Sequence, residues 1–227
     1  SQSNDLAAQM PAKLAQLKDM FWIEAAKNDV LPIGGGLWVP VFHPELRIVP
    51  AQIMWEFGGP ITRIPEFCAP ALGNKNNLVT IEASVGENAS GVLYKLGGAG
   101  GGLTCYADDG FLCYEYNLFI IQRTKIRSST RLPPGKCTLE IETTYAEPRP
   151  GGPLDVTMRV NGQQVGHGRV PVSAPLLFSA NECLDIGTCL GSPVSIDYYR
   201  KAPFAFDGTI ERMHVGYLTT GNATPPA

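Results

Sequence analysis

The chain has 227 residues, 44% of them hydrophobic and 17% charged, with a formal net charge of −3. That length can bury a core without disulfide staples, and the composition excludes wholesale disorder. The mildly acidic balance lacks the footprint of a nucleic-acid partner, no basic patch addresses a membrane surface, and no apolar run approaches the ~18 residues that mark a bilayer span.

Residues 11–28 form the one convincing helix. Pro11 suits a first helical turn, where its missing N–H costs nothing, and Asn28 with Pro32 stops the run. Leu14, Leu17, Phe21 and Ala25 recur at intervals of three and four, which makes one apolar stripe. Such a stripe must dock, either on this chain's own sandwich or on an absent domain. Residues 29–76 carry many prolines and glycines together with Trp38, Phe42, Trp55, Phe57 and Phe67. Long loops of this kind are functional or connecting, and the aromatics imply packing, so the segment reads as a wrapped connector. Leu14, Leu17, Phe21, Trp38 and Trp55 are therefore the expected interface with a missing domain, a partner, or a second copy.

After Asn77 the hydrophobic period changes to two. Strands are expected over 80–85, 91–96, 103–107, 111–118, 137–145, 154–160, 165–170 and 208–217. Asn161-Gly162 is a strong hairpin turn, and Asp109-Gly110 marks another. About ten short strands predict a mainly β, antiparallel two-sheet jelly-roll sandwich over 77–218, with 219–227 as a frayed tail.

Six cysteines are present without a C-x-x-C pair, so most are expected to be reduced, small apolar residues rather than zinc ligands. A three-residue turn at 108–110 would set Cys105 opposite Cys113 across a hairpin, close enough to touch. The glycine run 97–102 lacks the helix that a phosphate loop needs and reads as a strand connection. Arg123, Lys125 and Arg127 alternate and share one strand face; they could meet a sulfated glycan or an acidic surface, or simply be solvated. His43, His167 and His214 are scattered and suggest neither a zinc site nor a triad. Asp108, Asp109, Asp185 and Asp197 have no calcium-loop spacing. Tyr198, Tyr199, Trp38 and Trp55 could stack on sugars but more commonly fill a core. No catalytic, cofactor or metal residue is assigned.

Three blocks then occur together: Gly91-Val-Leu-Tyr-Lys-Leu-Gly-Gly98, Gly152-Pro-Leu-Asp-Val-Thr-Met-Arg-Val-Asn-Gly162, and Leu184-Asp-Ile-Gly-Thr-Cys-Leu-Gly-Ser-Pro-Val194 with Pro203-Phe-Ala-Phe-Asp-Gly-Thr-Ile210. In this order they resemble the C-terminal region of bacterial arylsulfatases, a concanavalin A-like or laminin-G-like jelly roll. Residues 1–28 look like the last helix of the sulfatase catalytic domain. Thr188-Cys189 departs from the Arg-Asp common in relatives. The resemblance implies a parent enzyme that uses formylglycine and a divalent cation, both held by a catalytic domain outside these residues. Cys68-Ala-Pro-Ala-Leu72 lacks the arginine of the modification motif and is not expected to be a site. The chain alone is thus expected to be an inactive support for that domain; the compartment, bacterial cytoplasm or periplasm, stays open, with cytoplasm favoured. The alternative is a free-standing lectin-like module that binds carbohydrate or a sulfated polymer.

Overall fold

The computed structural model describes residues 5–28, 30, 52–179 and 181–218. The chain divides into two units, 1–51 and 52–227. In the first, helix α1 runs Pro11–Lys27 with proline at its first turn; Asn28 ends it, its side-chain amide donating to the Glu24 carbonyl at 2.8 Å. Ala25 is buried and Leu14 half-buried, whereas Leu17 and Phe21 are half exposed. Trp38, His43 and the expected tail at 219–227 lie outside the described residues.

The second unit holds twelve strands in two six-stranded sheets. Their ranges are β1 Met54–Phe57, β2 Ile61–Pro65, β3 Asn77–Val85, β4 Gly91–Gly98, β5 Gly101–Asp108, β6 Phe111–Leu118, β7 Gln122–Arg131, β8 Gly135–Tyr145, β9 Leu154–Val160, β10 Gln163–Val170, β11 Cys183–Ile186 and β12 Thr209–Tyr217. One sheet has the order β1-β12-β3-β8-β9-β10 and the other β2-β11-β4-β5-β6-β7. All named strand pairs are antiparallel. The two-sheet sandwich is as expected from the alternation. The segment read as a connector is corrected in its second half: β1 and β2 are edge strands, one in each sheet. Trp55 packs edge-to-face on Tyr217, with ring centroids 4.9 Å apart.

The strand periodicities explain the layers. In β8 and β9 apolar residues alternate with Thr, Glu, Asp and Arg, so one face enters the core and the other meets solvent. β4, β5 and β6 are buried along almost their whole length, on both faces. Their inner residues, among them Leu96, Leu103, Cys105, Leu112 and Tyr116, meet Ile81, Leu139, Ile141, Val156 and Met158 of the facing sheet. A second small cluster lies on the outer face: Val92, Tyr106 and Cys113 beneath Cys189, Tyr198 and Phe204. Those last three belong to the irregular segment 187–208, a strap over the outer face of this sheet.

The expected cysteine pair is also corrected. Asp108 pairs with Phe111, leaving a two-residue turn in which Asp109 (φ 49°) and Gly110 (φ 75°) are both left-handed. A hairpin one residue tighter than expected shifts the register by one and so reverses faces. Cys105 is opposite Tyr114 and points into the main core, while Cys113 is opposite Tyr106 and joins the outer cluster. All six cysteines are free, and burial pushes the thiols of Cys105 and Cys113 up.

Candidate functional site

The basic residues singled out from sequence lie on β7 and are engaged within the protein. Arg123 donates to the Glu115 carboxylate at 2.8 Å and to the Val194 carbonyl at 2.6 Å. Lys125 is ion-paired with Asp197, and the Arg127 guanidinium sits 3.8 Å from the Phe111 ring centroid. They border a polar row that crosses five strands in register: Asp185, Lys95, Thr104, Glu115 and Lys125. The first four are no more than 4% exposed. Lys95 lies 3.1 Å from Asp185 and 3.6 Å from Glu182.

The strap satisfies the rest of this row. Leu190 N–H donates to Asp185 (2.8 Å), the Tyr198 hydroxyl to Thr104 (3.0 Å), and the Ser195 hydroxyl to Glu115 (2.5 Å). Buried charges are tolerated only when paired and hydrogen-bonded in this way, so the row fixes one seating of the strap. Thr188 and Cys189 serve the same purpose: the Thr188 hydroxyl and the Cys189 N–H both donate to the Pro203 carbonyl. Tyr198 is thereby a core residue, and Tyr199 is 60% exposed. Asp108 and Asp109 pair with Lys201 and Arg131. Among the described residues no three His, Cys, Asp or Glu side chains cluster as metal ligands. The glycine run closes the β4–β5 hairpin, and Cys68 is exposed on the short turn Glu66–Cys68.

An open cleft of about 670 Å³ lies elsewhere, at one end of the sandwich. Its walls are the loop 74–76 before β3, the loop 146–153 between β8 and β9, the segment 175–176 after β10, and the end of β12. Tyr145 and Tyr217, both half-buried, supply aromatic surface. Asn76 accepts the Tyr145 N–H at 2.7 Å through its carbonyl oxygen. The Tyr145 hydroxyl donates to the Asn74 carbonyl at 3.2 Å, and the Asn74 amide donates to the Leu176 carbonyl. The Tyr217 hydroxyl accepts the Ala71 N–H at 2.7 Å; burial pushes its pKa up, so it keeps a proton to donate.

The cleft is held from beneath. The buried Tyr116 hydroxyl donates to the Gly73 carbonyl (2.8 Å) and accepts the Ala174 N–H (2.7 Å), joining two walls through one atom. Glu66 accepts the N–H groups of Phe178 (2.7 Å) and Ser179 (2.8 Å), which fixes the segment after β10. Pro148, Pro150 and Pro175 restrict the rim. Sequence reasoning missed this site. Its signals were the Asn74-Lys75-Asn76-Asn77 cluster and the Pro148-Arg149-Pro150 rim, separated by about seventy residues and joined only by the fold.

No protein-family model and no curated protein sequence matches the chain. Among solved structures, the CBM40 of Ruminococcus gnavus IT-sialidase is similar over 74% of this chain and 93% of its own, at 13% identity and a TM-score of 0.49. Domains LG4-5 of the mouse laminin alpha1 chain are similar over 76% of this chain and 45% of theirs, at 19% identity and a TM-score of 0.49. Sheep galectin-11 is similar over 74% and 98%, at 10% identity and a TM-score of 0.38. At these values the likeness is one of general sandwich layout.

Proposed function

We propose that this chain is a non-catalytic, lectin-like module that binds carbohydrate in the end cleft. The observation that carries the reading is an open, braced cleft in which two tyrosine rings sit among side-chain amides. Sugar rings present apolar C–H faces that pack on aromatic surface, and hydroxyls that pair with amides and phenols. The volume is that of a small-ligand site, and bracing by Tyr116, Glu66 and three prolines lowers the ordering cost of binding. The strap covers the outer cluster of β4, β5 and β6, whereas the end cleft stands open. Titration calorimetry against a panel of neutral and acidic oligosaccharides tests this, with amide chemical shifts mapping any response. Heat with shifts confined to 74–76, 145–150 and 217–218 is expected. A silent panel, or shifts elsewhere, overturns the reading.

A second reading, the C-terminal support domain of an arylsulfatase-type hydrolase, rests on the three sequence blocks. Its favouring observation is that two of them meet. Gly91 at the start of β4 packs where a Cβ would lie 2.3 Å from Phe206 Cα, and Val92 bridges to Ala205 in the strap. The shared residues then maintain a scaffold. Formylglycine and the divalent cation would belong to the catalytic domain. Phenol release from nitrocatechol sulfate by the purified chain with added divalent metal would overturn it.

A further inference from the structure

We propose that the end cleft selects acidic sugars, bearing sulfate or carboxylate, through Lys75 and Arg149; this rests on the carbohydrate reading. The lining of the cleft includes both cations and no carboxylate side chain. Lys75 is exposed, its Nζ 6.0 Å from the Tyr217 ring centroid, and it has no ion-pair partner among the described residues. It is a mobile point charge beside an aromatic platform.

Arg149 is presented more rigidly. Prolines flank it on both sides, and Pro150 restrains its backbone to extended geometry. Its N–H donates to the Glu147 carbonyl at 2.8 Å, and its carbonyl accepts the Gly152 N–H at 2.9 Å. Only Nε of the guanidinium is engaged, by Glu147 at 3.1 Å. The two terminal nitrogens have no partner among the described residues, which leaves a fork suited to two oxygens of one anion. On β7 the cations are answered by carboxylates or a ring; in the cleft Arg149 is paired with Glu147 through Nε alone and Lys75 lies only over the Tyr217 ring, so the terminal nitrogens of Arg149 and the Lys75 ammonium stay available to an anion.

The test titrates the full chain with three hexasaccharides: chondroitin 6-sulfate, hyaluronan, which is carboxylated but unsulfated, and neutral cellohexaose. The wild type and the Lys75→Ala/Arg149→Ala double variant are compared, with thermal melts to confirm folding. The acidic sugars are expected to bind at least about tenfold more tightly than cellohexaose. The double variant should lose that margin. Raised salt should weaken only the acidic ligands. Binding of chondroitin 6-sulfate alone assigns sulfate as the recognised group, and equal binding of hyaluronan assigns carboxylate; both support the proposal. Cellohexaose binding as tightly as the acidic sugars, or a variant that keeps the margin, overturns acid selection and leaves the carbohydrate reading standing. Failure of all three hexasaccharides overturns both.

Discussion

Tyr114 and Tyr116 face the same core from the same strand, yet deleting their hydroxyls should act in opposite directions. Both rings are buried to 1% or less, and burial pushes both phenols up, so each carries a proton that needs an acceptor. Tyr116 has its acceptor in Gly73 and also receives the Ala174 N–H, and both groups are buried. Tyr116→Phe strands that carbonyl and that N–H at ~1–3 kcal/mol each, so about 2–4 kcal/mol is lost once partial relaxation is allowed. The buried Tyr114 hydroxyl has no hydrogen-bond partner among the described residues, although the Thr143 side chain lies close enough to lower its pKa against the larger effect of burial. Tyr114→Phe removes an orphan and should be neutral or stabilising by up to about 1 kcal/mol. For a domain of this size about 2–4 °C accompanies each kcal/mol. Thermal melts should then show Tyr116→Phe about 5–15 °C below wild type and Tyr114→Phe level with it or slightly above. Urea titration with a constant slope would confirm that stability, not compactness, has changed. Equal losses in the two variants would refute the assignment of Tyr116 as the brace of the cleft.

Three further outcomes follow from the same structure. Asp185→Asn leaves the Lys95 ammonium buried with Glu182 at 3.6 Å and the Gly97 carbonyl at 3.2 Å; about 3–5 kcal/mol should be lost in urea titration, and less than ~1 would show that the polar row does not hold the strap. Gly91→Ala forces a side chain into the backbone of residues 205 and 206 at a φ of +119°; strain and overpacking together should cost about 3–5 kcal/mol, and a wild-type melt would disprove the seating of the strap on β4. Burial is the largest influence on Glu66 and holds its carboxyl above the ordinary 4.5, against the lowering effect of the Phe178 and Ser179 N–H groups. The folded state therefore holds that proton more tightly than the unfolded state, so the contribution of Glu66 to stability is full below pH ~4.5 and declines as pH rises through the folded value. The stability difference between wild type and Glu66→Gln should shrink with rising pH across that window, and a difference that grew would reverse the assignment.

The readable parts of the sequence were those with local pattern. β8 and β9 alternate cleanly because only one face of each is buried, and Asn161-Gly162 supplies the turn between β9 and β10. β10 reads as a weak strand because Gly166 and Gly168 stand where side chains are expected. Their missing Cβ atoms leave room for Met158 and Ile126, so the volume is filled by residues of β9 and β7. β1 and β2 were hidden for a related reason. They are four and five residues long, at sheet edges, and bounded by Pro60, Pro65 and Gly58-Gly59, so local composition spoke for a loop. The Cys105–Cys113 register failed by one residue, which no alternation could reveal, since a two-residue and a three-residue turn leave the same run of apolar residues on either side.

The site was illegible for a different reason from the strands. Lys95, Glu115 and Asp185 look like ordinary surface charges in sequence, and become a buried row only because a strap about ninety residues downstream of β4 returns to cover it. That cover engages Arg123 and Lys125 through Val194 and Asp197, while Lys125 and Arg127 stay exposed at the sheet edge. It also changes what a free cation means in this fold: on β7 a positive side chain is structural by default, matched across the row or stacked on a ring. At the end of the sandwich the prolines and Tyr116 hold the walls in place, and among the described residues Lys75 and Arg149 keep their capacity for an anion. The function of this domain is therefore sought where the fold has left polar groups uncommitted, and not where the sequence concentrates them.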